Sequence, residues 1–257
     1  MDIVLIGSGN VASILGRLSV NAGHKIQQVY SRNTDHAKKL ANTLHAEPVM
    51  SMDSINRSAH LTIVAISDQA IPSFIKSFGT TNSLTVHTAG SLHISELQTV
   101  GDNYGVLYPL QSLRKEIMDL PEMTILIDGS NASSLYTIRT FANSISKNVN
   151  EADDENRLKY HLAAILVNNF TNYLYTLAAR FCENENISFS ILQPLIEETV
   201  IRLRTITPVA AQTGPAIRND FITIQKHLDL ISAYPEIKQL YEIFSSQISK
   251  FYARDKI

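Results

Sequence analysis

The sequence predicts an α/β fold, with an N-terminal doubly wound parallel sheet followed by an all-α helical-bundle domain. Three observations carry that expectation. The chain opens on a β-branched run, Asp2 to Ile6, that enters the spacing GxGxxA at Gly7, Gly9 and Ala12. Apolar, β-rich runs then recur at 2–7, 25–30, 46–50, 61–67 and 84–89, with helical periodicity between the early ones, the alternation that builds parallel sheets. After Asp153 strand patterns stop, and long helical patterns run to the C-terminus.

The glycine segment Gly7-Ser8-Gly9-Asn10-Val11-Ala12 predicts a dinucleotide-binding turn. Gly7 permits the tight turn off the strand, Gly9 lets backbone approach a pyrophosphate, and Ala12 lets the new helix pack close on the sheet. Glycine turns after strands are common, so the context matters. Val11, Ile14, Leu15 and Leu18 form one apolar helix face, and Gly23 closes that helix before the next strand. Its N-terminus would aim free N–H groups at phosphates. The cofactor follows from the end of the second strand, where an NAD site carries an acid for the ribose 2′-hydroxyl. Here the chain reads Tyr30-Ser31-Arg32-Asn33, a guanidinium beside hydroxyl and amide groups, which suits the 2′-phosphate of NADP. Asp35 fits better as a first-turn acid of the next helix.

Thr34 or Asn33 can cap the helix carrying Ala37, Leu40, Ala41 and Leu44, and Pro72 marks the first turn of the helix carrying Ile71, Phe74, Ile75 and Phe78. Ser67 and Asp68 follow the fourth strand and His87 ends the fifth, at carboxyl ends that border the ligand crevice of an open sheet. Ser67, Asp68 and His87 are therefore cofactor-side candidates, although a strand-end histidine equally suits a backbone hydrogen bond. Further strands are expected at 104–109 and 123–128, and a helix at 132–146. The predicted division is 1–152 for an NADP-binding domain and 153–257 for a helical substrate and dimerisation domain.

The helix expected from Asp154 to about Cys182 is apolar on most sides, which predicts burial and a role in a homodimer interface. At 100° per residue, His161, Asn168 and Asn172 share a stripe with Ile165, and Asn169 lies beside it. A buried polar stripe needs partners, so it either pairs inside the bundle or faces a polar cleft. In the second case His161 is the proton donor, since histidine titrates near neutrality, and Asn168 orients the substrate. Tyr108 and Gln111 end a strand on the same presumed side. Arg218, after the helix-starting turn Gly214-Pro215, could hold a substrate carboxylate or pair with Asp220. Later helices are expected at 188–205, 214–233 and 236–252.

Composition narrows the classes. The 257 residues are 44% hydrophobic and 18% charged with net charge −2, as in soluble globular proteins, and no apolar run is long enough to span a bilayer. Scattered basic residues argue against nucleic acid. The single cysteine, Cys182, excludes an intrachain disulfide and a thiolate metal site, and suits a reducing compartment as a buried small hydrophobe. An acidic residue at position 2 with no basic segment before the first strand leaves no room for a leader, so the expected location is the cytoplasm. HExxH, GxSxG and GxxxxGKS motifs are missing from the sequence.

The layout resembles the superfamily of β-hydroxyacid dehydrogenases, ketopantoate reductase and pyrroline-5-carboxylate reductase, which join a Rossmann domain to a helical domain. The segments Gly7 to Ala12, His87-Thr88-Ala89-Gly90-Ser91, Tyr108-Pro109-Leu110-Gln111, Tyr160 to Ala164 through Asn168-Asn169-Phe170, and Thr213-Gly214-Pro215-Ala216 with Arg218 and Asp220 resemble more narrowly a bacterial NADP oxidoreductase family of unestablished substrate. The resemblance implies hydride transfer between nicotinamide and a C=O or C=N carbon, with Asn168 and Asn169 on the substrate or nicotinamide side. The sequence departs from the dehydrogenase pattern KxxNN, because Ile165 stands where the acid/base lysine would be. His161, one turn earlier, is the available substitute, and the departure makes an imine reductase easier to accommodate than an alcohol dehydrogenase. Two alternatives are a non-catalytic NADP(H)-binding sensor and a deazaflavin-dependent NADP reductase.

Overall fold

The computed structural model describes residues 1–117 and 122–254. By internal contacts the chain divides into two compact units, Met1–Phe170 and Thr171–Ile257. The sequence places the change of texture at Asp153, just after the last strand, whereas the first compact unit also takes in the helical segment up to Phe170.

In the first unit the strands β1 (Asp2–Ile6), β2 (Lys25–Tyr30), β3 (Glu47–Val49), β4 (Leu61–Val64), β5 (Leu84–His87), β6 (Tyr104–Leu110), β7 (Thr124–Gly129) and β8 (Asn148–Glu151) form one sheet in the order β3-β2-β1-β4-β5-β6-β7-β8. The expected parallel sheet is present, with helices α1 (Asn10–Asn21), α2 (Thr34–Leu44) and α3 (Ile71–Phe78) as connections. Only β6 and β7 run antiparallel. A parallel return needs a crossover, and the sequence between these two strands carries no helical pattern to make one. β7 and β8 are again parallel, across α4 (Ala132–Ile145). Strand β8 was not expected, because Asn148-Val149-Asn150-Glu151 is a polar edge with only its valine turned from solvent.

Burial follows the apolar pattern. Ile3, Leu5, Ile14, Leu15, Leu40, Ile63, Val86, Ile125 and Phe141 belong to one buried cluster, and Val4, Ile6, Val64, Ile71, Phe74 and Phe78 to a second. The register then sets the working edge. Ile6 pairs with Tyr30 and Val64, Val64 pairs with His87, and His87 pairs with Val106, so the carboxyl ends of β2, β1, β4 and β5 stop level with one another. Gly7, Ser31, Ala65 and Thr88 therefore begin their turns on a common edge.

The helix α5 (Asp154–Ala164) is fastened to that edge through the Thr88–Ile94 loop. Asp153 caps it, its Oδ1 accepting the Asn156 N–H at 2.8 Å. Asp154 Oδ1 accepts the Ile94 N–H at 2.9 Å, and Asp154 Oδ2 stands 2.7 Å from His93 Nε2. Arg157 is 1% exposed; its Nη2 donates to the Leu92 carbonyl at 2.5 Å and pairs with Asp154. Beneath this loop His87 is wholly buried, and its Nδ1 accepts the Ala89 N–H at 3.2 Å. Burial, with the Arg157 guanidinium adding to it, pushes the His87 imidazole down to about 3.

After α5 the backbone widens into a π-helical stretch, Ile165–Phe170. The expected burial of this segment fails: Leu158, Leu162, Val167 and Phe170 are each at least half exposed. Its apolar pattern therefore does not report the core of its own unit. The second unit consists of α6 (Thr171–Asn184), α7 (Gln193–Arg202), α8 (Pro208–Ala211), α9 (Phe221–Leu230) and α10 (Pro235–Arg254). Leu177, Cys182, Ala216 and Ile231 are buried in it, and Phe181 packs edge-on against Tyr234. No helix among the described residues is long and apolar enough to cross a membrane.

Two outcomes are expected from this arrangement. Replacing Arg157 with methionine leaves Asp154 and the Leu92 carbonyl without their cation, and should lower unfolding free energy by about 2–4 kcal/mol in denaturant titration. His87 stays neutral in the folded chain but takes up a proton near 6.5 when unfolded, so the unfolded state binds more protons between pH 6.5 and about 3. Stability should fall as pH drops through that window, with a slope of up to about 1.4 kcal/mol per pH unit from this residue. His87→Phe should flatten the dependence measured by denaturant midpoint, and an unchanged slope would contradict the assignment.

Candidate active site

The first part of the site is the glycine turn. Gly7 has φ +118°, and a Cβ there would stand 2.2 Å from the Ala65 carbonyl oxygen, so the crossing with the β4 turn requires glycine. Gly9 differs: nothing lies within 4 Å of the position of its would-be Cβ, so packing in the protein does not require a glycine there. A ligand lying on the turn would. Gly9 precedes α1 without a side-chain cap, and the first turn of α1 holds no acid, which leaves the helix N-terminus able to meet an anion. Ala12 is buried beneath the turn, as expected for close helix-to-sheet packing.

A cleft of about 570 Å³ opens over this turn. Gly7, Ser8, Gly9, Asn10, Val11, Ser31, Arg32 and Ser67 line it, with Tyr30, Met52 and Phe74 among the other wall residues. Eight of the candidates for cofactor contact thus come together. Ser8 Oγ donates to Ser31 Oγ at 2.8 Å, tying the glycine turn to the end of β2. Arg32 is exposed at the rim, and Asp35 stands in the first turn of α2. Three candidates are placed differently. Asn33 caps α2, accepting the His36 N–H at 3.0 Å. Asp68 lies outside the cleft lining, its Oδ2 accepting from Ser91 Oγ at 2.9 Å. His87, 0% exposed, faces the interior and is corrected from a cofactor contact to a buried support of the Thr88–Ser91 turn.

The second part is a cleft of about 560 Å³ in the same unit, between the end of β6 and the α5 and π-helical segment. Tyr108, Gln111, His161, Asn168 and Asn169 all line it, together with Ser112, Tyr160 and Ile165. The uniform 100° stripe expected from the sequence is altered by the π turn, so Asn168 and Asn169 both reach this cleft, a recurrent use of π segments at functional sites. Among the described residues, no charged side chain lines this cleft, and Ile165 adds an apolar side chain to its wall.

Tyr108 and His161 form its centre. The Tyr108 hydroxyl stands 2.8 Å from His161 Nδ1, with the rings edge to face at 5.9 Å. Burial, and then the Asp68 carboxylate, raise the Tyr108 hydroxyl above its usual range, with Arg157 acting in the opposite direction. Gly90, which the sequence marks only as part of a strand end, is packed against both rings: a Cβ on it would meet His161 Nδ1 at 2.8 Å and Tyr108 Cζ at 2.9 Å. Its position in Thr88-Ala89-Gly90-Ser91 at a strand's carboxyl end was the available signal. Arg218 lies in the second unit, exposed, near Asp220, whose carboxylate is held low first by the N–H and hydroxyl of Thr223.

Residues 2–88 match a family described as NADP oxidoreductase, coenzyme F420-dependent, and residues 123–248 match a domain of unknown function, DUF2520. No curated protein matches the chain. Among solved structures, a Bacteroides fragilis protein described as a "putative NADP oxidoreductase" is 36% identical over 97% of this chain and 98% of its own, with TM-score 0.91. A 1-pyrroline-5-carboxylate reductase from Streptococcus pyogenes (14% identity, TM-score 0.65, 97% of this chain and 98% of that one) and an imine reductase from Myxococcus stipitatus in complex with NADP+ (15%, 0.70, 97% and 93%) share the fold. By its tandem of matched regions and its near full-length relative, the chain belongs to the NADP oxidoreductase family that joins a Rossmann domain to a helical domain of unknown function.

Proposed function

We propose that the protein is an NADPH-dependent reductase acting on a C=N or C=O carbon of a small polar molecule. The observation that carries this reading is the cleft over Gly7 to Val11, whose β2-end wall presents Ser31 and Arg32 where an NAD site would present a carboxylate. The open space at Gly9 and the uncapped α1 terminus suit the pyrophosphate, and Arg32 with Ser31 suits the 2′-phosphate. NADPH would supply the hydride. Ser67 borders the cleft farther along the same edge, and Asp68 shapes the adjoining turn through Ser91.

The neutral second cleft is the proposed substrate end. Asn168, Asn169 and Gln111 supply amide donors and acceptors that orient a polar substrate, and His161 is the group through which a proton enters. With Ile165 in place of a lysine, no ammonium group stands in this wall among the described residues, so the proton taken up by the reduced nitrogen or oxygen comes from the hydroxyl and imidazole donors present there. This reading sets the nucleotide on the sheet edge and the substrate against the helical segment.

The exposed side chains of Leu158, Leu162 and Phe170 are the proposed homodimer surface, since large apolar side chains grouped on one helical segment mark association sites. A wild-type mass of two chains by light scattering, reduced to one chain by Leu162→Glu, is expected; a monomeric wild type would contradict the assignment.

Parallel fluorescence titrations with NADPH and NADH test the cofactor. Tight binding selective for NADPH is expected, and Arg32→Ala should weaken NADPH by about 10- to 100-fold, as loss of a charged hydrogen bond does, while NADH changes by less than about twofold. Equal losses for both nucleotides would reject the 2′-phosphate contact, and binding of neither would reject the oxidoreductase reading.

A further inference from the structure

We infer that the Tyr108 hydroxyl, and not His161, is the group that gives the proton to the substrate, with His161 behind it as a relay from solvent and Gly90 as the spacer that lets the two rings meet. The inference rests on the reductase reading and assigns the acid within the same site.

Three observations lead there. Tyr108 Oη and His161 Nδ1 are 2.8 Å apart, so Nδ1 is committed to the tyrosine and cannot also reach a substrate atom directly. Both rings are half-buried, Tyr108 at the end of β6 and His161 on α5, so each keeps an open side to the cleft they line together. Gly90 leaves no room for even a methyl group against the pair, which marks the contact as closely fitted and not a chance approach of two long side chains. The charged groups that act on the tyrosine are Asp68, on the β4 side, and Arg157, on α5. Asp68 favours the protonated phenol, so the proton stays available until charge develops on the substrate.

The hydrogen bond has two possible senses, and only one supports catalysis. If Nδ1 accepts the phenolic proton, no proton remains to point at a substrate. If Nδ1–H donates to Oη, the phenolic O–H is turned outward and free to donate. The step then balances. The hydride from NADPH forms a C–H bond, the C=X π pair moves to nitrogen or oxygen, and that atom takes the Tyr108 proton. His161 passes its Nδ1 proton to Oη as Nε2 takes one from water, and proton exchange with solvent then returns the ring to the Nδ1–H tautomer before the next turnover. NADPH, C=X and one solvent proton are consumed, and NADP+ and CH–XH are formed.

The test has one readout on the protein alone and one on turnover. Long-range ¹⁵N–¹H correlation spectra of histidine-labelled protein at neutral pH report which nitrogen of His161 carries the proton. A protonated Nδ1 that loses its hydrogen-bonded shift in Tyr108→Phe is expected; a bare Nδ1 with the proton on Nε2 overturns the inference. For turnover, NADPH oxidation is followed with 2-methyl-1-pyrroline as the C=N probe and pyruvate as the C=O probe. Tyr108→Phe should lose about 100-fold or more in kcat, within the range of a lost general acid, with NADPH affinity within about twofold of wild type. His161→Gln should lose less, about 10-fold, and should shift the pH profile. Gly90→Ala should resemble Tyr108→Phe in kcat while binding NADPH normally. If wild type turns over either probe and Tyr108→Phe retains at least a third of its kcat, the inference fails and the reductase reading stands. If wild type consumes no NADPH with either probe, the reductase reading fails and takes the inference with it.

Discussion

A buried guanidinium joins the sheet to the helical segment of the first unit. Arg157 lies on α5, 1% exposed, yet its hydrogen bond goes to the Leu92 carbonyl in the loop that leaves β5, and its ion pair is with Asp154, which itself holds the Ile94 N–H. A charge so deep is tolerated only when its partners are fixed, and fixing them fixes the loop. That loop carries Gly90, against which Tyr108 and His161 meet, and Ser91, which holds Asp68 beside the nucleotide turn. His161 sits one helical turn beyond Arg157, so its position follows from where α5 is anchored. The nearby His87 stays neutral chiefly because burial disfavours its charged form, with the Arg157 guanidinium adding to that.

The two clefts differ in the chemistry they offer, and the difference follows from how each is built. The nucleotide cleft is made of backbone at a strand-to-helix turn, with a cation at its rim, which suits a long anionic ligand. The second cleft is made of side chains on β6 and the α5 and π-helical segment, amides, hydroxyls and an imidazole without a net charge in the wall. Neutral walls do not hold a carboxylate firmly, and they leave a reacting nitrogen or oxygen dependent on a few donors for stabilisation. The Tyr108 and His161 pair is the donor set in that wall with both a proton to give and a route to replace it.

Much of this was legible in the sequence because it rests on local rules. GxGxxA, the cap Asn33, the strand runs and the proline-started α3 depend on neighbours a few residues away, and each appears where periodicity and turn chemistry place it. What was not legible depends on distant partners. A polar edge strand such as β8 has no apolar pattern to announce it. The π turn at Ile165 shifts the asparagines without a composition signal, and Arg157 looks like any i,i+3 partner of Asp154 until the Leu92 carbonyl is seen beside it. The apolar run from Leu158 to Phe170 predicts a buried core, yet its large side chains are exposed; periodicity reports that a face is apolar, not what covers it. His87 was a candidate contact because it ends a strand, yet the inward side of the pleat takes it into the interior.

The measurement that bears most directly on the central claim is a crystal structure of the protein with NADPH. The account expects the pyrophosphate over Gly7 to Val11, the 2′-phosphate on Ser31 and Arg32, and the nicotinamide at the Tyr108 end of the sheet edge, with room for a substrate atom within about 3.5 Å of both its C4 and the Tyr108 hydroxyl. A nucleotide bound with its nicotinamide turned away from Tyr108, or seated outside the glycine turn, would contradict it.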